Sequence, residues 1–224
     1  MRLFSGHVRD VRSVCCTPDG RGVFTASWDK SARHWDARTG VCLRSFLGHG
    51  SGVTCVACSH DGKRLFSGSE DRSAKMWDVA TGACQRTFEG HGEYVFDVAC
   101  SSDGQWLFSG SRDDSARQWE VASGDCARIF HGHADGVASL ALSVDGVSLL
   151  TGSLDGTART WDLKHGTCTA VRTPPPPPSA ERRAPSAAHC AHGAHGTRHC
   201  AHALPPVVLT VPTLAACSAS SARP

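Results

Sequence analysis

Apolar positions in the first 173 residues fall in short alternating runs, and those runs return every 42 residues without insertion or deletion. In the second unit they lie at Val53 to Ser59, Arg64 to Ser69, Ala74 to Asp78 and Ala83 to Phe88. Each run has strand length, and none keeps a helical period. Asp19-Gly20, Asp61-Gly62, Asp103-Gly104 and Asp145-Gly146 divide the first run from the second, the strongest short-range hairpin cue. Gly40, Gly82, Gly124 and Gly166 follow the third run and supply the positive φ of a tight turn. The pattern predicts an all-β chain, with four short antiparallel strands in each of four units, here named a, b, c and d.

Strand a carries a finer signal. Its always-apolar columns are Val11, Val53, Val95, Val137 and then Val14, Val56, Val98, Leu140, three residues apart. A regular strand brings one face back after two residues or four. Spacing of three predicts one extra residue, a β-bulge, which re-aims nearby side chains toward one rim.

Polar residues keep the same register. Gly-His stands at Gly6-His7, Gly48-His49, Gly90-His91 and Gly132-His133, and Trp plus an acid at Trp35-Asp36, Trp77-Asp78, Trp119-Glu120 and Trp161-Asp162. With this period the chain resembles the WD40 repeat family, in which each repeat is one blade of a β-propeller and strand a lies nearest the axis. The resemblance implies a structural tetrad in every copy: His7, Ser27, Asp29, Trp35; His49, Ser69, Asp71, Trp77; His91, Ser111, Asp113, Trp119; His133, Ser153, Asp155, Trp161. In the family the indole donates to the Ser hydroxyl, the Ser to the His ring, and the His to the Asp. Buried donors and acceptors need such partners. A hydrolase reading of Ser, His and Asp fails, because a nucleophile is singular and exposed rather than repeated in every blade. The chain reads as non-enzymatic, with no cofactor.

Twelve cysteines invite a disulfide framework, but Cys42, Cys84, Cys126 and Cys168 share one column, and Cys16, Cys58 and Cys100 share another that Leu142 completes. Exchange of Cys for Leu treats sulfur as a small hydrophobe, so buried structural roles are expected. Cys55 and Cys58 form a C-x-x-C whose members point to opposite faces of a strand, with no second pair at zinc spacing. Free thiols suit the cytosol or nucleus. Net charge is −1 up to Thr173 and +3 beyond it, which gives neither a nucleic-acid nor a membrane footprint.

Function is expected in columns that differ between copies yet face a rim. By resemblance to the family's binding face these are the third and fifth residues after the His and the residue before the tetrad Asp. They read Asp10, Arg12, Trp28; Gly52, Thr54, Glu70; Tyr94, Phe96, Arg112; and Gly136, Ala138, Leu154. Tyr94, Phe96, Arg112 and Trp28, with Arg12, Asp10 and Glu70, are the expected surface for partner proteins or peptides, since aromatics and Arg dominate interface hot spots. The alternative is that Phe96 and Trp28 pack as ordinary core. Repeat one also resembles the motif by which some WD40 proteins dock on the adaptor of cullin-4 ubiquitin ligases, with Asp36 and Arg38 in the docking positions and His34 where an aliphatic residue is usual. That makes a ligase substrate receptor a second functional reading.

The blade domain is expected over residues 1–173, with repeats at about 6–47, 48–89, 90–131 and 132–173 and residues 1–5 as the remnant of a preceding outer strand. Seven-fold blades turn about 51° each, so four span roughly 205°. The chain thus reads as a partial or open propeller, either part of a longer protein, self-associated through its open blade edges, or strained into a four-blade ring. Residues 174–224 begin with five prolines and lack the composition for a core, which predicts a disordered tail. There His189, Cys190, His192, His195, His199, Cys200 and His202 form a candidate metal-binding tract, the third functional reading.

Overall fold

The computed structural model describes residues 3–173. Each repeat becomes one antiparallel sheet whose strands pair in chain order. Blade 1 holds β1 (Val11–Cys16), β2 (Gly22–Ser27), β3 (Ser31–Asp36) and β4 (Cys42–Leu47). Blade 2 holds β5 (Val53–Cys58), β6 (Arg64–Ser69), β7 (Ala74–Asp78) and β8 (Cys84–Phe88). Blade 3 holds β9 (Val95–Cys100), β10 (Trp106–Ser111), β11 (Ala116–Glu120) and β12 (Cys126–Phe130). Blade 4 holds β13 (Val137–Leu142), β14 (Ser148–Ser153), β15 (Ala158–Asp162) and β16 (Cys168–Arg172). No helix occurs among the described residues.

The bulge implied by the three-residue spacing lies in the first strand of every blade. Val11 faces Ser27 and Ser13 faces Ala26, which leaves Arg12 unpaired. Thr54, Phe96 and Ala138 are the equivalent extra residues. A second bulge, which the sequence pattern did not indicate, falls in each outer strand: His34 faces Arg44 but Trp35 faces Cys42, with Leu43 extra. The Asp-Gly hairpins are also wider than a two-residue turn. Thr17 N–H donates to Gly22 C=O and Gly20 N–H to Thr17 C=O, while the Asp19 carboxylate accepts from Thr17 Oγ1 at 2.6 Å and from Arg21 N–H at 2.9 Å. Gly20 has φ 69°, the left-handed residue that lets this longer loop match the strand twist.

The core lies between blades rather than within them. Each blade has a near face toward its lower-numbered neighbour and a far face toward the next. Phe24, Ala26, Ala32 and Phe46 on the far face of blade 1 pack against Val53, Val56, Leu65 and Trp77 of blade 2. Phe66, Ala74, Met76 and Phe88 meet Val95, Val98, Leu107 and Trp119 in the same way. Phe108, Ala116 and Phe130 meet Val137, Leu149 and Trp161. Arginines on the outer strands tie successive blades. Arg44 donates to Thr81 C=O at 2.8 Å, Arg86 to Ser123 C=O, and Arg128 to Leu163 C=O at 2.7 Å.

Among the described residues the arrangement is open, and its two end faces carry exposed apolar side chains. Val14 is 64% exposed where Val56 is 7% exposed, and Leu150 is 44% exposed where Phe108 is 1% exposed.

One expectation about the cysteines is overturned. Cys42, Cys84, Cys126 and Cys168 are exposed. They open the outermost strand beside its bulge, beyond the reach of a neighbouring blade, and their thiols turn to main-chain oxygens such as Arg44 C=O at 3.5 Å. The inner column contributes to packing at three of its four positions, where Cys58, Cys100 and Leu142 border the cores, while Cys16 is exposed. Burial pushes the thiols of Cys58 and Cys100 up to about 11 and that of Cys15 up to about 12.

Candidate functional site

Four polar relays hold the frame of the site. The indoles of Trp35, Trp77, Trp119 and Trp161 are buried, and each donates to a hydroxyl: Thr25 Oγ1 at 2.8 Å, Ser67 Oγ at 2.8 Å, Ser109 Oγ at 2.7 Å and Thr151 Oγ1 at 2.9 Å. With the indole donating to it, each hydroxyl gives its own proton to a His Nε2, those of His7, His49, His91 and His133, at 2.6–2.7 Å. Each His Nδ1–H then donates to a carboxylate, those of Asp29, Asp71, Asp113 and Asp155, at 2.7–2.9 Å.

The relay hydroxyl is therefore not Ser27, Ser69, Ser111 or Ser153, as expected, but the Ser or Thr two residues earlier. Trp35 pairs with Val23 across the b–c ladder. Thr25 is the next residue on that face, roughly 7 Å along the strand, while Ser27 is roughly 13 Å away and out of reach of the indole. The signal was in the sequence, since Thr25, Ser67, Ser109 and Thr151 all carry hydroxyls.

The displaced serines do a different job. Ser27 donates to Arg9 C=O at 3.1 Å and accepts from Asp29 N–H at 3.1 Å. Ser69, Ser111 and Ser153 make the matching bonds to Ser51, Glu93 and Asp135 C=O, and Ser69 also reaches Gly52 C=O at 2.9 Å. They clamp the d–a loop to the b–c turn and so set the rim. Burial opposes ionisation of Asp29, but bonds from Ser31, His7 and Val8 outweigh it and hold the carboxyl down at about 2. Asp71, Asp113 and Asp155 are lowered against burial in the same way.

Backbone hydrogen bonds bring the variable columns together. Trp28 N–H donates to Asp10 C=O at 3.0 Å, Glu70 to Gly52 at 3.0 Å, Arg112 to Tyr94 at 2.9 Å and Leu154 to Gly136 at 2.9 Å. The residue three after each His thus lies against the residue before each tetrad Asp, with the bulge residue beside them.

Two aromatic–guanidinium pairs result. Arg12 Cζ lies 4.7 Å from the Trp28 ring centroid and Arg112 Cζ 6.0 Å from that of Tyr94. Trp28 and Tyr94 are each 36% exposed. Both Arg12 and Arg112 are exposed, as is Asp10, and Glu70 is half-buried and accepts from Ser51 Oγ at 3.1 Å.

Glycines on blades 2 and 4 make room for the rings of Trp28 and Phe96. A Cβ at Gly52 would stand 2.6 Å from Trp28 Cδ1 and 3.2 Å from Glu70 Oε2. At Gly136 it would stand 3.2 Å from Phe96 Cε2 and 3.1 Å from Arg112 Cα. Trp28 and the half-buried Phe96 therefore cross onto the next blade, joining core packing to an open aromatic surface. Thr54 is drawn inward, its hydroxyl within 3.0 Å of Gly68 C=O and 2.5 Å of Val95 C=O.

At the turn between strands c and d, the Asp36 carboxylate accepts from Arg38 N–H at 2.9 Å and from Thr39 N–H at 2.6 Å and Oγ1 at 2.8 Å. Asp78 makes the same bonds with Thr81, so this acid builds a turn in the second blade too, while Arg38 is exposed, as is Lys164 at the equivalent position of the fourth. The tract His189, Cys190, His192, His195, His199, Cys200 and His202 lies outside the described residues. Among the described residues no group of three His, Cys, Asp or Glu side chains is placed to hold a metal ion.

A family model for the WD domain, G-beta repeat (WD40), matches residues 1–36, 40–78, 82–120 and 124–162. Each match ends at the Trp-acid pair or its equivalent, and the last three open just before the outer strand of the preceding blade. With four matches over most of its length, the chain belongs to the WD40 repeat family.

Proposed function

We propose that the protein is a non-enzymatic scaffold that binds partner proteins or peptides through the rim bearing Trp28, Arg12, Glu70, Tyr94, Phe96 and Arg112. WD40 blades are in general protein-interaction scaffolds. The observation that carries the finer reading is the placement of two exposed aromatic–arginine pairs on loops that the relays and clamping serines hold rigid. Such rings offer large contact area at small entropic cost, and a preset backbone lowers that cost further. Nine described cysteines carry free thiols, which favours a reducing compartment, the cytosol or nucleus. Relay hydroxyls are buried and already accept an indole, so no described Ser or Thr of the tetrads is free to act as a nucleophile.

The test is a column transplant. Tyr94→Gly, Phe96→Thr and Arg112→Glu give blade 3 the residues that blade 2 carries at the same backbone positions. The combined variant is expected to keep its unfolding temperature within a few degrees while losing most partners recovered by proximity labelling in cells. An unchanged partner set at unchanged stability contradicts the proposal.

A further inference from the structure

We infer that the far face of blade 4 and the near face of blade 1 are the two halves of one interface, and that a second copy of this chain joins them head to tail. The inference concerns the sheet faces and does not rest on the rim reading above.

Three junctions inside the molecule show what such an interface contains. Every near face presents an apolar pair from strand a, an aliphatic residue from strand b and the relay Trp, and these are buried by the preceding blade. Blade 1 carries the same set as Val11, Val14, Val23 and Trp35: Val11 and Val14 are more than half exposed, Val23 is half-buried, and Trp35 is already covered within its own copy. Every far face presents a large apolar residue from strand b and an Ala from strand c. Blade 4 offers Leu150 and Ala158, both exposed, where Phe24, Phe66, Phe108 and their partner alanines are buried.

The polar detail matches as well. Ser13 Oγ accepts from Val56 N–H at 3.4 Å across the first junction, and Asp97 Oδ2 from Leu140 N–H at 2.7 Å across the third. Ser139 stands in that column on the bare far face, and Val14 N–H is its complement on the near face.

One column differs, and the difference is compensated. Far faces end in Phe46, Phe88 and Phe130, each tilted against the next relay Trp, but blade 4 has Arg172 there. Blade 1 carries its own ring: Phe4 lies 6.0 Å from Trp35, as Phe46 lies 5.9 Å from Trp77. The near face thus brings the aromatic that the far face lacks. Residues 3–5 run where a preceding outer strand would end, so the exposed Val171–Arg172 end of β16 gives way to them on docking.

Because the two halves are different surfaces, the contact is heterologous, closing into a ring of two copies or continuing as a chain of copies. Symmetric pairing of like faces would instead put valines on valines and leave the leucine face bare.

Sedimentation of the full 224-residue chain, with Val14→Glu and Leu150→Arg as separate variants, reads the outcome. Both side chains are exposed in the single copy, so neither change disturbs folding, and circular dichroism checks this. The wild type is expected at twice the 23.7 kDa chain mass or above. Each variant alone is expected to lose the closed ring, and the two mixed together are expected to recover a pair through their intact halves. A wild type that stays at single-chain mass across the micromolar range overturns the inference. So does loss of association in Val14→Glu with none in Leu150→Arg, the signature of like-face pairing.

Discussion

At the scale of single residues, two serines two positions apart have unequal roles. Ser109 receives an indole and serves an imidazole, both buried, so Ser109→Ala strands two groups at about 1–3 kcal/mol each. Ser111 fixes a loop that water reaches, and Ser111→Ala should cost about 1 kcal/mol. Urea unfolding that ranks Ser111→Ala as the more damaging would refute the relay geometry. Asp97 gives a second residue-scale prediction. Burial pushes its carboxyl up from 3.8 to about 6, against the donors Leu140 N–H and Val98 N–H. Between these values the folded chain holds a proton that the unfolded chain has released, so stability falls as pH rises through the window. Asp29, held at about 2, works with the opposite sign: its contribution is present above about 4 and fades as pH drops toward 2. Asp97→Asn removes the first effect. Its unfolding free energy relative to wild type should therefore shift in its own favour by about 2–3 kcal/mol from pH 4 to pH 6 and above, and a pH-independent difference would speak against the burial of that charge.

At the scale of strands and blades, an identical substitution should act differently at an inner and an end position. Gly110 lies on the far face of blade 3, where an added Cβ would stand 2.9 Å from Val137 C=O and 2.9 Å from Val137 Cγ1. Gly110→Ala should cost about 1–3 kcal/mol through overpacking. Gly152 occupies the same column on blade 4, where the nearest atom to a Cβ is Ser139 Cβ at 3.9 Å. Gly152→Ala should be close to neutral in the single copy, and equal costs at both sites in melts of dilute protein would argue that blade 4 is already covered. Much at this scale was legible in the sequence. In the second repeat Arg64–Ser69 and Ala74–Asp78 fall where the sequence pattern puts them, the other two strands are each one residue shorter than expected, and the three-residue column spacing announces the bulge that the structure centres on Arg12, Thr54, Phe96 and Ala138. The bulge at Leu43 and the exposure of Cys42 were not legible, because conserved spacing within a repeat reports that a position is constrained and not which surface it faces. The choice of relay hydroxyl is hidden from the sequence for a related reason. Ser27 and Thr25 share a face of one strand, and only the reach of the indole separates them.

At the scale of the whole molecule, a row of blades each touching only its neighbours behaves as a nearly one-dimensional stack. Among the described residues blades 2 and 3 are sandwiched, while the near face of blade 1 and the far face of blade 4 pack against no further blade. Amide exchange in dilute protein should be slowest in β6 and β10, with β1 and β16 the first to open. Uniform protection along the chain would mean that the ends are covered. The rim becomes intelligible only at this scale, since Trp28 and Phe96 acquire their exposure and their footing from glycines on the next blade, a relation no single repeat displays. Scaffold and recognition surface are thus assigned to different columns of one repeat. The six indole N–H groups test that division most directly, through hydrogen exchange resolved by nitrogen-15 spectroscopy. Trp35, Trp77, Trp119 and Trp161 should exchange slowly, locked to their hydroxyls, while Trp28 exchanges rapidly. A fast indole among those four, or a Trp28 as protected as they are, would contradict it.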